Sequence, residues 1–566
     1  MIKDKITQIL IEAVKKTGLP ADGINLIHPT NSKFGDYTTT VAMQLGKKEK
    51  KDPFVIAEKI AQNIEIQDPI GSIKIIRPGF INIFLSNSIL LENIQEITDG
   101  NIHFPEYYLG KNKKIMVEYS HPNTHKLFHI GHLRNITTGE AIAKLFEATG
   151  NKVIRSNYQG DVGLHIAKTL WATPKLIEEV GEKNVEVLPI SEKISLLGKA
   201  YVKGNKTYEE DEEIQKEIID INKQIYNQDE KILSIYNKTR DWSLEYFNDK
   251  YDRVGTKFDK LYFESEMTTQ ALKIIDELVE KKILKKSRGA IVFKGDDYGV
   301  HTRVFLNQHG YPTYEGKELP LAEKETSDFG KLDKIIHVVT GEQTSFFQTT
   351  FKVEELRDPV RYKGIQFHLI YGWVHLKGGK MSSRKGNIIE ADWLLDQSKN
   401  QIKKDYNSTD DVAEKLAVAA VKYSFLKNSL EKDVYFDVND ATTLQGDSGP
   451  YLIYTYVRCN SVLKKDKVSV LTGFEPSKMN ELELSLIRHL FKFPEIVTEG
   501  ASKLAPNYIC TYLYDLCQKF NLFYQKNPIL KAEKNMKDFR LSLTAATARV
   551  IKTGLDLLGI QVVEKM

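Results

Sequence analysis

At 566 residues, the chain is several times longer than a typical domain of ~150 residues, so three or four domains are expected. Hydrophobic residues at 41% and charged residues at 28% exclude a disordered chain, and a net charge of +4 excludes a polycation while permitting a nucleic acid on a local basic face. Three cysteines, Cys459, Cys510 and Cys517, exclude a disulfide scaffold and a CxxC zinc knuckle, and Cys510 and Cys517 share a helix face that suits buried core thiols.

In chain order, Ile2, Ile6, Ile9, Leu10, Ala13 and Val14 recur at helical spacing before Gly18, which predicts an amphipathic domain helix rather than a targeting peptide. No run approaches the ~20 apolar residues of a membrane helix, so a reducing, cytoplasmic enzyme is expected. A helix around Pro53–Ile64 and strands at Ile73–Ile76 and Phe80–Leu85 complete an N-terminal α+β domain, residues 1–105. The strand-like Ile115–Ser120, a Pro/His-rich loop, a helical pattern to about Phe146 and a strand at Val153–Tyr158 read as a parallel, Rossmann-like sheet. Further strands are expected at Ala290–Phe293, Lys334–Val339 and Phe367–Tyr371, in a catalytic domain spanning 106–395 and carrying a charged helical insertion at about 175–260. From Asp392 onward the period is helical, giving an all-α domain over 396–566.

Between the first strand and helix of the sheet lies Ser120-His-Pro-Asn-Thr-His-Lys-Leu-Phe-His-Ile-Gly-His132. His129 and His132 are three apart, on one face at a helix start. Gly131 permits close approach of a ligand, and the free N–H groups of the first turn favour phosphate. Two imidazoles there suit the charge that builds on a phosphate under attack. A metal site built from His121, His125, His129 and His132 is opposed by Pro122, which breaks a continuous helix, and by the lack of a cysteine among them. A second element, Lys380-Met-Ser-Ser-Arg-Lys-Gly-Asn387, is a basic, Gly-flanked loop whose Lys380, Arg384 and Lys385 suit a pyrophosphate.

The pair resembles the HIGH and KMSKS signatures of class I aminoacyl-tRNA synthetases. The resemblance narrows to the arginyl-tRNA synthetase family through FGDY (Phe34–Tyr37), GFINIFLS (Gly79–Ser86), VEYSHPN before HIGH, NYQGDVG (Asn157–Gly163), GDSGPYLIYTYVR (Gly446–Arg458), YLYDLCQKFNLFY (Tyr512–Tyr524) and AATARVIKTGLDLLGI (Ala545–Ile560). It implies catalytic roles for His129, His132, Lys126 and Lys380, and an ATP site that adds Gly131, Met381, Ser382, Ser383 and Arg384. It places Glu118, Asn123, Tyr314, Glu318 and Gln343 around the arginine substrate; a guanidinium needs carboxylates and fixed acceptors. Tyr314 and Glu318 are four apart and would share a helix face, although Pro320 weakens that helix, and Glu318 is one methylene longer than the family's aspartate.

The resemblance further implies MgATP as cofactor, L-arginine and tRNA(Arg) as partners, and no membrane or DNA partner. The C-terminal domain would bind the anticodon, with Tyr451, Tyr454 and Arg458 as candidate contacts. The N-terminal domain would meet the tRNA elbow through Phe34 and Tyr37, with Thr38 and Thr40 replacing two base-reading amides. Two rivals stand beside this reading. A small-metabolite nucleotidyltransferase of the HIGH superfamily would need neither flanking domain, and a silent tRNA-binding paralogue would have no chemical reason to keep His129, His132 and Lys380.

Overall fold

The computed structural model describes residues 2–29, 31–104, 110, 112–377, 389–466, 468 and 474–566. In the N-terminal domain, helices Ile2–Lys16, Val41–Glu49, Pro53–Gln62 and Asn87–Asp99 surround an antiparallel sheet. Its central strand, Phe80–Leu85, lies between Tyr37–Thr39 and Ile70–Ile76. Residues 80–85 are apolar at nearly every position because both faces of this strand are covered.

Five parallel strands form the central sheet: β1 (Lys114–Glu118), β2 (Lys152–Gln159), β3 (Lys260–Phe263), β4 (Lys334–Thr340) and β5 (Gln366–Tyr371), in the order β5-β4-β1-β2-β3. The chain winds outward from β1 through β2 to β3 in one direction and through β4 to β5 in the other. The switch point therefore falls between β1 and β4, where ligands of open parallel sheets bind. Helix α1 (Ile130–Ala148) follows β1 and is buried around most of its circumference, with the sheet on one side and C-terminal helices on the other.

The residues between β2 and β3 form helices covering most of Leu164–Val254, beginning earlier than the charged composition from 175 suggests. Ala290–Phe293 is a strand as expected, but it pairs with Lys285–Ser287 and Arg303–Leu306 in a separate antiparallel sheet. Helix α2 (Tyr314–Phe329) runs through Pro320 without ending there. Helix α3 (Thr344–Arg357) then crosses between β4 and β5.

The C-terminal region contains α4 (Asp410–Leu426), α5 (Gly449–Leu463), α6 (Glu481–Phe491), α7 (Phe493–Ser502), α8 (Asn507–Lys526) and α9 (Lys534–Leu557). One exception to its helical character is the strand Val434–Phe436, paired in parallel with Val374–Leu376. Cys459, Cys510 and Cys517 are all buried thiols. Among the described residues no helix is long and apolar enough to cross a membrane.

The first domain docks on α6 and α7. Glu495 accepts a hydrogen bond from the Tyr37 hydroxyl. It also pairs with Lys3 and His28, each at 3.2 Å. Arg488 lies 3.5 Å from Asp36. Phe104 packs edge-on against Phe493.

Candidate active site

The loop after β1 carries an unusual density of backbone strain. Ser120, His121 and His125 all have positive φ, at 84°, 48° and 64°, which disfavours residues with a Cβ. Each is held by a side chain from elsewhere. The Ser120 amide donates to Asn135 Oδ1 at 2.5 Å, that of His121 to Asn157 Oδ1 at 3.2 Å, and that of His125 to Ser243 Oγ at 2.9 Å. The His125 ring is a core group, with its nitrogens taken by Thr124 at 3.0 Å and Thr239 at 2.7 Å. The loop is also stitched to the NYQG segment. The Thr124 amide donates to the Gly160 carbonyl at 2.9 Å, and a Cβ at Gly160 would lie only 2.2 Å from Asn123 Oδ1.

His129 is the N-cap of α1. Its Nδ1 accepts from the Gly131 and His132 amides at 3.1 and 3.4 Å, while His132 Nδ1 accepts from the His129 amide at 3.2 Å. This reciprocal capping box fixes the chemistry of both rings. An Nδ1 that accepts carries no proton, so each imidazole is neutral with its proton on Nε2. Burial, then the charge of Lys126, pushes His129 down to about 4. Burial and the neighbouring His129 push His132 well below the ordinary histidine range. The rings stack at 3.7 Å between centroids. Lys126 is half-buried over the Tyr201 ring, and burial lowers its pKa. The result is a set of N–H donors at the positive end of α1, fitted to anionic oxygens and not to a bare cation.

The Lys380-Met381-Ser382-Ser383-Arg384 loop lies outside the described residues. The chain just after it is anchored at the same helix start. Ile130 donates to the Ile389 carbonyl and Ala391 to that of Phe128, both at 2.9 Å.

Register brings the second half of the site together. Glu118 ends β1, and its partner on β4 is His337. His337 Nδ1 donates to Glu118 Oε1 at 2.9 Å, and both side chains are buried. Burial alone raises the Glu118 carboxyl, but the charge and hydrogen bond of His337, with His121 nearby, bring it down to about 2. The same pair overcomes burial at His337 and pushes it up to about 9. Glu318 is also buried here, with its carboxyl pushed well up by burial. Of the expected arginine contacts, Glu118 and Glu318 thus converge in one buried cluster. Asn123 lies on the strained loop, bridged to Gly160, and Gln343 is exposed just past β4. Tyr314 shares a helix with Glu318, but it is 65% exposed and lies near Lys317.

Residues not singled out in the sequence also line this region. Gln159 has both amide atoms buried without a partner among the described residues, as has the Tyr158 hydroxyl. Glu325 and Glu354 join the carboxylate cluster. NYQG marked Gln159 only as part of a motif. The spacing of Glu318 and Glu325, seven residues apart on one helix face, was the available signal for Glu325.

Away from this site, Phe34 is 44% exposed and accessible, but Tyr37 is completely buried and engaged by Glu495. This corrects the expectation that Tyr37 contacts tRNA. Its aromatic ring packs the domain seam instead, stacked with His28 at 4.8 Å. Tyr451, Tyr454 and Arg458 are half-buried on α5; Arg458 lies over the Tyr454 ring and donates to Asn521, which in turn donates to Tyr451. A cavity of about 770 Å³ lies at the seam between the first and last domains, lined by His28, Asp36, Arg488, Lys492 and Lys519, and is separate from the strand ends.

The parallel sheet, its switch point and the histidine-capped helix define the catalytic fold of a class I aminoacyl-tRNA synthetase. Residues 95–438 match the family model "tRNA synthetases class I (R), catalytic domain". Residues 1–85 match "Arginyl tRNA synthetase N terminal domain", and residues 452–566 match "DALR anticodon binding domain". The chain belongs to the arginyl-tRNA synthetase family. It is 32% identical over 562 residues to an arginine–tRNA ligase of Bdellovibrio bacteriovorus, covering 96% of this chain and 94% of that one. It is 33% identical over 552 residues to that of Clostridioides difficile, covering 95% of each. In fold it is similar to arginyl-tRNA synthetase of Thermus thermophilus, with a TM-score of 0.81, 23% identity and full coverage of both chains. The Plasmodium falciparum enzyme gives the same TM-score at 22% identity, covering 100% of this chain and 99% of that one.

Proposed function

We propose that the chain is an arginine–tRNA ligase acting in the cytoplasm, which activates L-arginine with ATP and transfers it to the 3′-terminal adenosine of tRNA(Arg). The observation that carries the substrate assignment is the buried Glu118–His337 pair, joined by Glu318, at the switch point beside the histidine-capped helix. A permanently charged, planar guanidinium is the amino-acid side chain such a carboxylate site suits. Glu118, Asn123, Tyr314, Glu318 and Gln343 are assigned to arginine, with Tyr314 at the mouth rather than in the cluster. An uncharged analogue would leave the buried carboxylates of this cluster badly paired, so discrimination needs no editing step.

In the first step the arginine carboxylate attacks the α-phosphorus, the bond to the β-phosphate oxygen breaks, and arginyl-adenylate and pyrophosphate form. His129 and His132 offer Nε2–H donors to the phosphate oxygens as charge develops, with Lys126 adding a positive charge. Lys380, Met381, Ser382, Ser383 and Arg384 are assigned to the same nucleotide, with Gly131 leaving the helix start open. Mg²⁺ we assign to the nucleotide's phosphate oxygens and water, since the donors at the helix start are N–H groups. In the second step the 2′-hydroxyl of the terminal adenosine attacks the arginyl carbonyl and AMP leaves. Phe34, Tyr451, Tyr454 and Arg458 are the proposed tRNA contacts.

ATP–pyrophosphate exchange with each amino acid, with and without total tRNA, tests this reading. Exchange dependent on arginine alone among amino acids is expected. Folded protein that binds tRNA but shows no exchange with arginine under either condition would instead be a silent paralogue.

A further inference from the structure

Glu118 Oε1 is satisfied by His337, but its Oε2 is buried without a donor among the described residues. Helix α2 brings Glu325 against it. Glu325 is 0% exposed, and neither of its oxygens has a partner among the described residues. Glu325 and Glu118 act directly on each other in this cluster, yet two carboxylates cannot donate to each other. Among the described residues, the groups that act on Glu325 offer no spare cation. They are Glu318 on its own helix, Glu354 on α3, Glu118 on β1 and Tyr262 on β3, while His337 on β4 acts on Glu118 and Glu318. His337 is already committed: both ring nitrogens donate, Nδ1 to Glu118 and Nε2 to Gln366 Oε1 at 2.8 Å. Gln366 Nε2 then donates to Glu354 Oε2 at 2.7 Å. A single proton placed between Glu325 and Glu118 gives Oε2 its donor and removes a like-charge contact between two buried carboxyls.

We propose that Glu325 is a positioning residue that acts as a neutral carboxylic acid, donating its proton to Glu118 Oε2 while His337 donates to Oε1. Glu118 is thereby gripped at both oxygens before substrate arrives, so little ordering remains to be done when the guanidinium binds. Burial, followed by the repulsion of Glu118, pushes the Glu325 carboxyl well up, in keeping with this role. The inference rests on the assignment of Glu118 to arginine.

The test compares wild type with Glu325→Gln and Glu325→Leu in arginine-dependent exchange with tRNA present. Glutamine keeps a donor and carries no charge, so its KM for arginine should stay within about twofold of wild type. Leucine removes the donor and should raise KM by about tenfold with kcat changed far less, the scale of one hydrogen bond. Glutamine as damaging as leucine would overturn the inference, because the charge of Glu325 would then be what the site uses. Infrared difference spectra give a second readout that does not depend on the leucine variant folding. The carbonyl stretch of a protonated buried carboxyl should be present in wild type at neutral pH and reduced in Glu325→Gln. An unchanged spectrum would also overturn the proposal. Absence of arginine-dependent exchange in wild type would sink the arginine assignment itself, and the infrared band would still decide whether Glu325 holds a proton.

Discussion

His129 does two things that can be separated by substitution. Its Nδ1 caps α1, and its Nε2–H is the donor proposed for a phosphate oxygen. Asparagine is among the best capping residues, whereas alanine forfeits the cap at a cost of about 1 kcal/mol. Both substitutions remove the imidazole donor. We expect His129→Asn and His129→Ala to lower kcat in the exchange assay by similar factors, on the order of a hundredfold or more. Only alanine should lower the urea midpoint. Equal stability in both variants would show that the cap contributes nothing. The histidines were legible in the sequence because four consecutive residues carry the signature. Their protonation was not, since it follows from a hydrogen-bond geometry that spacing alone cannot state.

At the scale of elements, α1 lies so close to β1 that a side chain at Gly139 has no room. A Cβ there would sit 2.3 Å from Cγ of Tyr119, whose hydroxyl donates to Glu140 at 2.8 Å and meets Thr256 at 2.7 Å. Gly139→Ala should therefore destabilise the protein by about 1–3 kcal/mol despite the better helix propensity of alanine, as measured by denaturant unfolding. An unchanged midpoint would mean that α1 can slide on the sheet.

The same scale shows where sequence pattern served and where it did not. Phe80–Leu85 and Lys334–Thr340 were readable because runs that are mostly apolar and β-branched mark strands covered on both faces. Lys260–Phe263 was not, because it is a four-residue edge strand with no length over which a period can repeat. Val434–Phe436 hid in helical surroundings, and its pairing with residues sixty positions earlier leaves no local trace. Pro320 misled because it weighs on an isolated helix, while α2 is held from outside by packing on neighbouring elements. The carboxylate cluster failed to appear for a related reason. Glu118, Glu318 and Glu325, His337 and Glu354 come from β1, α2, β4 and α3, and only the fold makes them neighbours.

For the whole molecule, Glu495 is the residue on which the two ends of the chain meet. Burial works against its charge, but His28, Lys3 and Tyr37 together bring its carboxyl down to about 2. A carboxyl lowered in the folded state supplies stability above its unfolded pKa of ~4.3, and that contribution fades as pH falls toward 2. Glu495→Gln should thus be less stable than wild type at pH 7 and should lose this deficit under acid conditions. Hydrogen exchange at pH 7 should locate the loosening in residues 2–104, with the parallel sheet unchanged. Uniform loss of protection would show that the first domain does not open separately.

That seam also sets an order of events during synthesis. Tyr37 and Glu495 are 458 residues apart, so at ribosomal speeds of about 5–20 residues per second, roughly 20–90 seconds separate their emergence. For that interval the nascent first domain has no surface to dock on and must stand by itself. The clamp on Tyr37 is therefore among the last contacts a newly made molecule can form, and a chain truncated before α7 never forms it.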